Sequence, residues 1–123
     1  NTNLFDHVNI DKSKTYVPDG LEQDAVKDCT DYDKILESLG HLDIQLLGIG
    51  GDGHIGFNEP ADAFCVNTQC IDHEEQTIQD NARLFFNGDL AAVPTQAYTM
   101  GIGYIMKSTT VILMATGAGK EDS

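Results

Sequence analysis

The hydrophobic positions of this chain fall into runs with two different periods. From Leu21 to Leu39 the apolar residues Ala25, Val26, Cys29, Tyr32, Ile35, Leu36 and Leu39 return at helical spacing. Gly40 follows as a stop, and Lys34 and Glu37 fall on the opposite, solvated face. The next run, Ile44, Leu46, Leu47 and Ile49, is short and bounded by glycines, which predicts a buried strand of a parallel sheet over 43–49. Before these elements, Leu4, Phe5, Val8 and Ile10 predict the end of a helix and Thr15–Val17 a short strand, closed by the turn Pro18-Asp19-Gly20. After Pro60 the chain shows no period until Ile71. Asp72-His73-Glu74-Glu75 then has the spacing of a capping box, starting a helix that buries Ile78, Ala82 and Phe85 or Phe86 and ends at Asn87-Gly88-Asp89. Ala97–Met100 and the β-branched Thr109–Met114 read as strands, and Gly117–Lys120 as a strand-to-helix junction. This alternation predicts a single α/β domain over 1–123 with a parallel sheet flanked by helices, without internal repeat or linker.

Charge narrows the partners. The 123 residues carry a formal net charge of −13 with only seven Lys and Arg, which argues against nucleic acid or an anionic membrane. An anionic ligand would need cations gathered locally. Cys29, Cys65 and Cys70 are odd in number and lack a CxxC, which predicts a reduced, cytoplasmic setting rather than a disulfide scaffold. The chain has no initiator Met and stops at Glu121-Asp122-Ser123, so it is expected to be an internal piece of a longer protein.

The chemistry concentrates at the end of the 43–49 strand. Gly48, Gly50, Gly51 and Gly53 follow it, with Asp52, His54 and Glu59 set among and just beyond them. Strand ends of open α/β sheets are where ligands bind, and glycines let backbone and ligand approach closely. Gly48–Gly53 satisfies G-x-G-x-x-G literally. A dinucleotide site would need a helix running on from the third glycine, and Asn58-Glu59-Pro60 interrupts it. Gly117–Lys120 is not a P-loop, because the first glycine and the hydroxyl residue after Lys are misplaced. Asp52, His54 and Glu59 are also groups that a cation takes, but no second His lies at ligand spacing. An imidazole between two acids is the usual arrangement for tuned proton transfer. His73 reads as solvated in an acidic helix start, and His7 and His41 carry no constellation. Arg83, the only arginine, and Lys120 at a strand end are the candidates for local anion capture, as of a sugar phosphate.

Leu47–Pro60, reading Leu-Gly-Ile-Gly-Gly-Asp-Gly-His-Ile-Gly-Phe-Asn-Glu-Pro, closely resembles the signature of glucosamine-6-phosphate deaminases. The resemblance continues through Asn81-Ala82-Arg83, Val93-Pro94, Thr99–Gly103 and Thr116–Lys120, and so covers most of the chain. It implies a modified Rossmann-like parallel sheet flanked by helices, its N-terminal part absent here. It implies a cytoplasmic enzyme of amino-sugar catabolism that turns glucosamine 6-phosphate and water into fructose 6-phosphate and ammonia, using neither metal nor organic cofactor. By the same resemblance His54 is the acid/base that opens the pyranose ring, with Asp52 and Glu59 polarising it. Arg83 and Lys120 match the ligands of the substrate phosphate, and Gly51 and Gly53 supply backbone beside the substrate.

Two departures bear on this. The family's carboxylate base and its upstream phosphate loop have no counterpart in these residues, so the chain alone is expected not to catalyse. Members activated by N-acetylglucosamine 6-phosphate hold the activator with a Ser, an Arg and a Lys, where this chain has Asp62, Gln69 and Ile71. An acid facing a phosphate repels it, so such activation is not expected. A 6-phosphogluconolactonase-like enzyme and a non-catalytic sugar-phosphate sensor are the rival readings, with Phe57-Asn58-Glu59-Pro60 favouring the deaminase. The oligomeric state stays open, a homo-oligomer included.

Overall fold

The computed structural model describes residues 2–21 and 23–123. Helix α1, Ala25–Leu39, opens where the Asp24 side chain accepts the Lys27 N–H at 3.0 Å, four residues inside the predicted start. It closes at Gly40, whose φ of 81° is a conformation other residues avoid. Strand β1, Ile44–Gly48, follows, then a long loop, β2 (Gln69–Asp72), α2 (Glu75–Phe85), β3 (Gln96–Thr99), the short α3 (Ile102–Met106) and β4 (Thr110–Met114).

β1 and β4 pair in parallel with Ile44 opposite Thr110 and Gly48 opposite Met114, as the alternation predicts. A second pair departs from prediction: β2 runs antiparallel to β3, with Gln69 opposite Thr99 and Asp72 opposite Gln96. Two of its residues also join through their side chains, Gln96 Nε2 donating to Asp72 Oδ1 at 2.7 Å. Thus 61–71 is not wholly irregular. Nor is Asp72 a helix cap. His73 N–H is taken by the Thr95 carbonyl at 2.8 Å, which prolongs the ladder and delays the helix to Glu75. The residue at the cap is Glu74, which makes no side-chain cap bond. The predicted strand at Thr15–Val17 is extended coil, and Phe5–His7 forms a single 3-10 turn.

The core is small. Cys29 and Leu36 of α1, Ala82 of α2, Val93, and Tyr104 and Ile105 of α3 are buried. The α1 carboxylate Asp33 is 8% exposed and receives the Thr68 N–H at 3.0 and 3.3 Å, which ties the helix to the start of β2. Tyr104 O–H donates to Glu37 at 3.0 Å, tying the same helix to α3. β1 is not the buried strand its apolar run predicts. Ile44 and Leu46 are 64% and 58% exposed, and Leu113 and Met114 of β4 are open as well. A strand apolar on both faces is made to be covered on both. In this chain α1 lies against β2 instead.

Candidate active site

The loop after β1 is folded by its own backbone. Gly50 N–H donates to the His54 carbonyl at 2.8 Å, and Gly53 N–H to the Gly50 carbonyl at 3.2 Å. The Asp52 carboxylate accepts the His54 N–H at 3.2 Å, an Asx turn that brings this acid beside its histidine. The imidazole then lies flat against Gly50. A methyl group there would fall 2.2–2.4 Å from three ring atoms, so only glycine admits the ring. Further on, Ile55 and Asn58 exchange backbone hydrogen bonds at 3.1 and 3.0 Å around Gly56, whose φ is 61°. This small bridge turns the chain back, so that Glu59 returns to the same ring.

All three predicted proton-transfer residues therefore meet. Asp52 Oδ1 is 2.6 Å from His54 Nδ1, close as an ion pair although not aligned as a hydrogen bond. Glu59 Oε1 stands 3.7 Å from the same nitrogen. The two carboxyls also hydrogen-bond each other, and their acidities separate. That bond, assisted by the His54 N–H and the imidazolium charge, holds Asp52 down at about 2. Burial, then the bond and charge of Asp52, push Glu59 up from its ordinary value. As pH falls, Glu59 takes a proton first while Asp52 stays ionised. A coupled acid pair of this kind can both stabilise an imidazolium and keep a proton in reserve. The three donors also lie within 4.8 Å of one another, a spacing that would suit a cation.

The imidazole faces a cleft of about 400 Å³. It is lined by Gly48–Gly51 and Phe57 from the loop after β1, by Thr77, Asp80 and Asn81 at helical spacing on α2, and by Lys120. Of the other predicted ligand residues, Gly51 lines the cleft and Gly53 forms the turn behind it with φ of 92°. Arg83 does not line it. Its side chain is 74% exposed and donates to Asp80 Oδ1 at 3.1 Å, so it reaches the rim through an acid that does. Thr77 and Asp80 were not singled out from sequence, although their spacing from Asn81 on one helix face carries the signal. His73, read as solvated, is half-buried instead. Its ring meets Phe57 edge-on, centroids 4.5 Å apart at 74°, and burial, then the charge of His54, pushes its pKa down.

Comparison with known proteins adds a family. The family model for glucosamine-6-phosphate isomerases and 6-phosphogluconolactonase matches residues 1–123. A glucosamine-6-phosphate deaminase of Clostridium perfringens is 49% identical over 122 residues, covering 99% of this chain and 50% of the relative. Another, from Lachnoclostridium phytofermentans, is 50% identical over 120 residues, 98% of this chain and 50% of the relative. A solved monomeric glucosamine-6-phosphate deaminase of the NagB superfamily superposes with a TM-score of 0.82 at 43% identity, over 89% of this chain and 44% of its own. The chain thus spans about half the length of the relatives it matches. The likeness to the solved relative bears out the α/β fold with a parallel sheet flanked by helices.

Proposed function

Because the chain belongs to the glucosamine-6-phosphate isomerase and 6-phosphogluconolactonase family, we propose that the protein containing it is a glucosamine-6-phosphate deaminase. The reaction isomerises the aldose to a ketose and hydrolyses the C–N bond, so that glucosamine 6-phosphate and water give fructose 6-phosphate and ammonia. One observation carries the reading: His54, flanked by an ionised Asp52 and a Glu59 of raised pKa, shares a cleft with the cation Lys120.

Opening the pyranose requires a proton delivered to the ring oxygen and one removed from the anomeric hydroxyl. One imidazole between those atoms can do both, and general acid–base catalysis of this kind contributes about 10²–10⁴-fold. Asp52 supports the cationic form that appears between the two transfers. Having taken one proton and given one, the imidazole ends in its starting state, and Glu59, 3.7 Å from the same nitrogen, helps Asp52 keep the ring turned between the two oxygens. Lys120 holds the phosphate as a point charge, with Arg83 drawn in from the rim and Gly51 and Gly53 keeping the backbone close to the sugar. The proton shift from C2 to C1 needs a further base, and no step assigns one to these residues. We accordingly expect the isolated chain to be inactive.

Among the described residues no helix is long and apolar enough to cross a membrane. The test uses the whole protein with glucosamine 6-phosphate, following ammonia and fructose 6-phosphate together. Equal release of both, abolished in His54→Gln, supports the proposal. Hydrolysis of a 6-phosphogluconolactone in its place, or binding without turnover, sinks it.

A further inference from the structure

The triad is assembled from two arms of one hairpin, and something must hold that hairpin against the sheet. The side chain that does so is Asn58, 6% exposed and without contact to the cleft. Its Nδ2 donates to the Ile55 carbonyl at 2.9 Å, across the hairpin, and to the Met100 carbonyl at 2.9 Å, at the end of β3. Its Oδ1 accepts from Gln69 Nε2 at 3.2 Å, at the start of β2. Thr99, equally buried, completes the attachment: its Oγ1 accepts the Phe57 N–H at 3.0 Å and stands 3.4 Å from Asn58 Nδ2.

We propose that Asn58 and Thr99 form a clamp that sets the distance between His54 and Glu59, making both positioning residues for the proton relay. The geometry follows from the bridge. Ile55 and Asn58 are a bonded antiparallel pair, so the residues just outside it, His54 and Glu59, are brought face to face. The Asn58 amide locks that pair from within and fastens it to both strands of the antiparallel sheet. An aspartate would fit the space but replace a two-proton donor by an acceptor aimed at two carbonyls. The same clamp fixes Phe57, whose N–H it holds and whose ring borders the cleft with its centroid 6.5 Å from that of His54. The proton-transfer geometry thus depends on a sheet that carries no member of the triad.

This inference rests on the deaminase reading, and the experiment separates the two. The whole protein is prepared as wild type, Asn58→Asp, Thr99→Val and Thr99→Ser. Wild type without deaminase activity defeats the functional reading and leaves the clamp to the spectroscopic measurement below. With an active wild type, Asn58→Asp and Thr99→Val are expected to lower kcat by about tenfold or more with KM within about threefold, the split of a misplaced transition-state group. Thr99→Ser, which keeps the oxygen, is expected to stay within about threefold of wild type in kcat. Variants that fold and melt lower but keep wild-type kcat would show a purely structural role and overturn the clamp. The His54 ring resonances, titrated by NMR, need no turnover. Curves that separate in Thr99→Val and return in Thr99→Ser support it, and coincident curves in all four proteins refute it. Thr99→Val preserves volume, which keeps the test open even where Asn58→Asp fails to fold.

Discussion

Gly50→Ala tests the placement of the His54 ring with one added carbon. The Ala Cβ would fall 2.2 Å from Cε1, 2.3 Å from Nδ1 and 2.4 Å from Nε2 of His54. Gly50 lacks the positive φ seen at Gly53 and Gly56, so the backbone itself accepts alanine. Its N–H bond to the His54 carbonyl also needs no change. The whole perturbation is therefore steric and aimed at one ring. Either the imidazole retreats by roughly 1 Å or the turn opens, and a misplacement of that size costs on the order of 10²-fold in rate. The expected destabilisation is that of an overpacked site, about 1–3 kcal/mol. The assay is ammonia release by the whole protein under saturating glucosamine 6-phosphate, beside a thermal melt. We expect kcat near one hundredth of wild type with a folded protein. A folded Gly50→Ala protein with wild-type kcat would refute the reasoning, because the ring could not then lie against Gly50 in the working enzyme.

Further outcomes follow from the same structure. The acidic limb of kcat/KM should lie above the ordinary glutamate range and move downward in Asp52→Asn, since Asp52 is one of the causes that raise Glu59; an unmoved limb would separate the two acids. The stability contributions of this pair have opposite signs: that of Asp52 is present above 3.8 and lost as pH falls toward about 2, whereas that of Glu59 is present below 4.5 and lost as pH rises through its higher folded value. Asp33→Ala leaves the Thr68 N–H without its buried acceptor and should cost about 1–3 kcal/mol in denaturant unfolding of the whole protein; an unchanged midpoint would contradict the burial of that bond. N-acetylglucosamine 6-phosphate should not activate, because Asp62 is exposed and acidic, Gln69 is engaged with Asn58, and Ile71 carries no charge; a sigmoidal rate curve straightened by that ligand would refute this.

What the sequence disclosed was what local chemistry decides. Gly40 ends α1 by its own conformational freedom, and the run from Ile44 with its glycines marks β1 and the loop that follows. Asp52, His54 and Glu59 are close in sequence, so their meeting needs only one turn and one bridge. The misreadings arise where distant segments overrule local signals. Gln69-Cys70-Ile71-Asp72 has no strand period of its own; it is a strand because β3 pairs with it. The capping box at Asp72 is outcompeted by the same ladder. His73 looks solvated until Phe57, far back along the chain, supplies the ring it packs against. Arg83 illustrates the converse: its sequence position marked it as a candidate for anion capture, while its partner, Asp80 one turn earlier on the helix, emerges only in the structure.

The parallel pairing of β1 with β4 also has a temporal meaning. Ile44 meets Thr110, so that ladder cannot close until α2, the antiparallel pair and α3 have all emerged between the two strands. Ordering so long a connection before its contacts reward it is slow compared with forming α1. The loop bearing His54 hangs from the end of β1, while Lys120 follows β4. The proton-transfer centre and the cation that shares its cleft are therefore united by one late event. A nascent chain can hold a well-formed triad while the cation that lines its cleft is still unplaced.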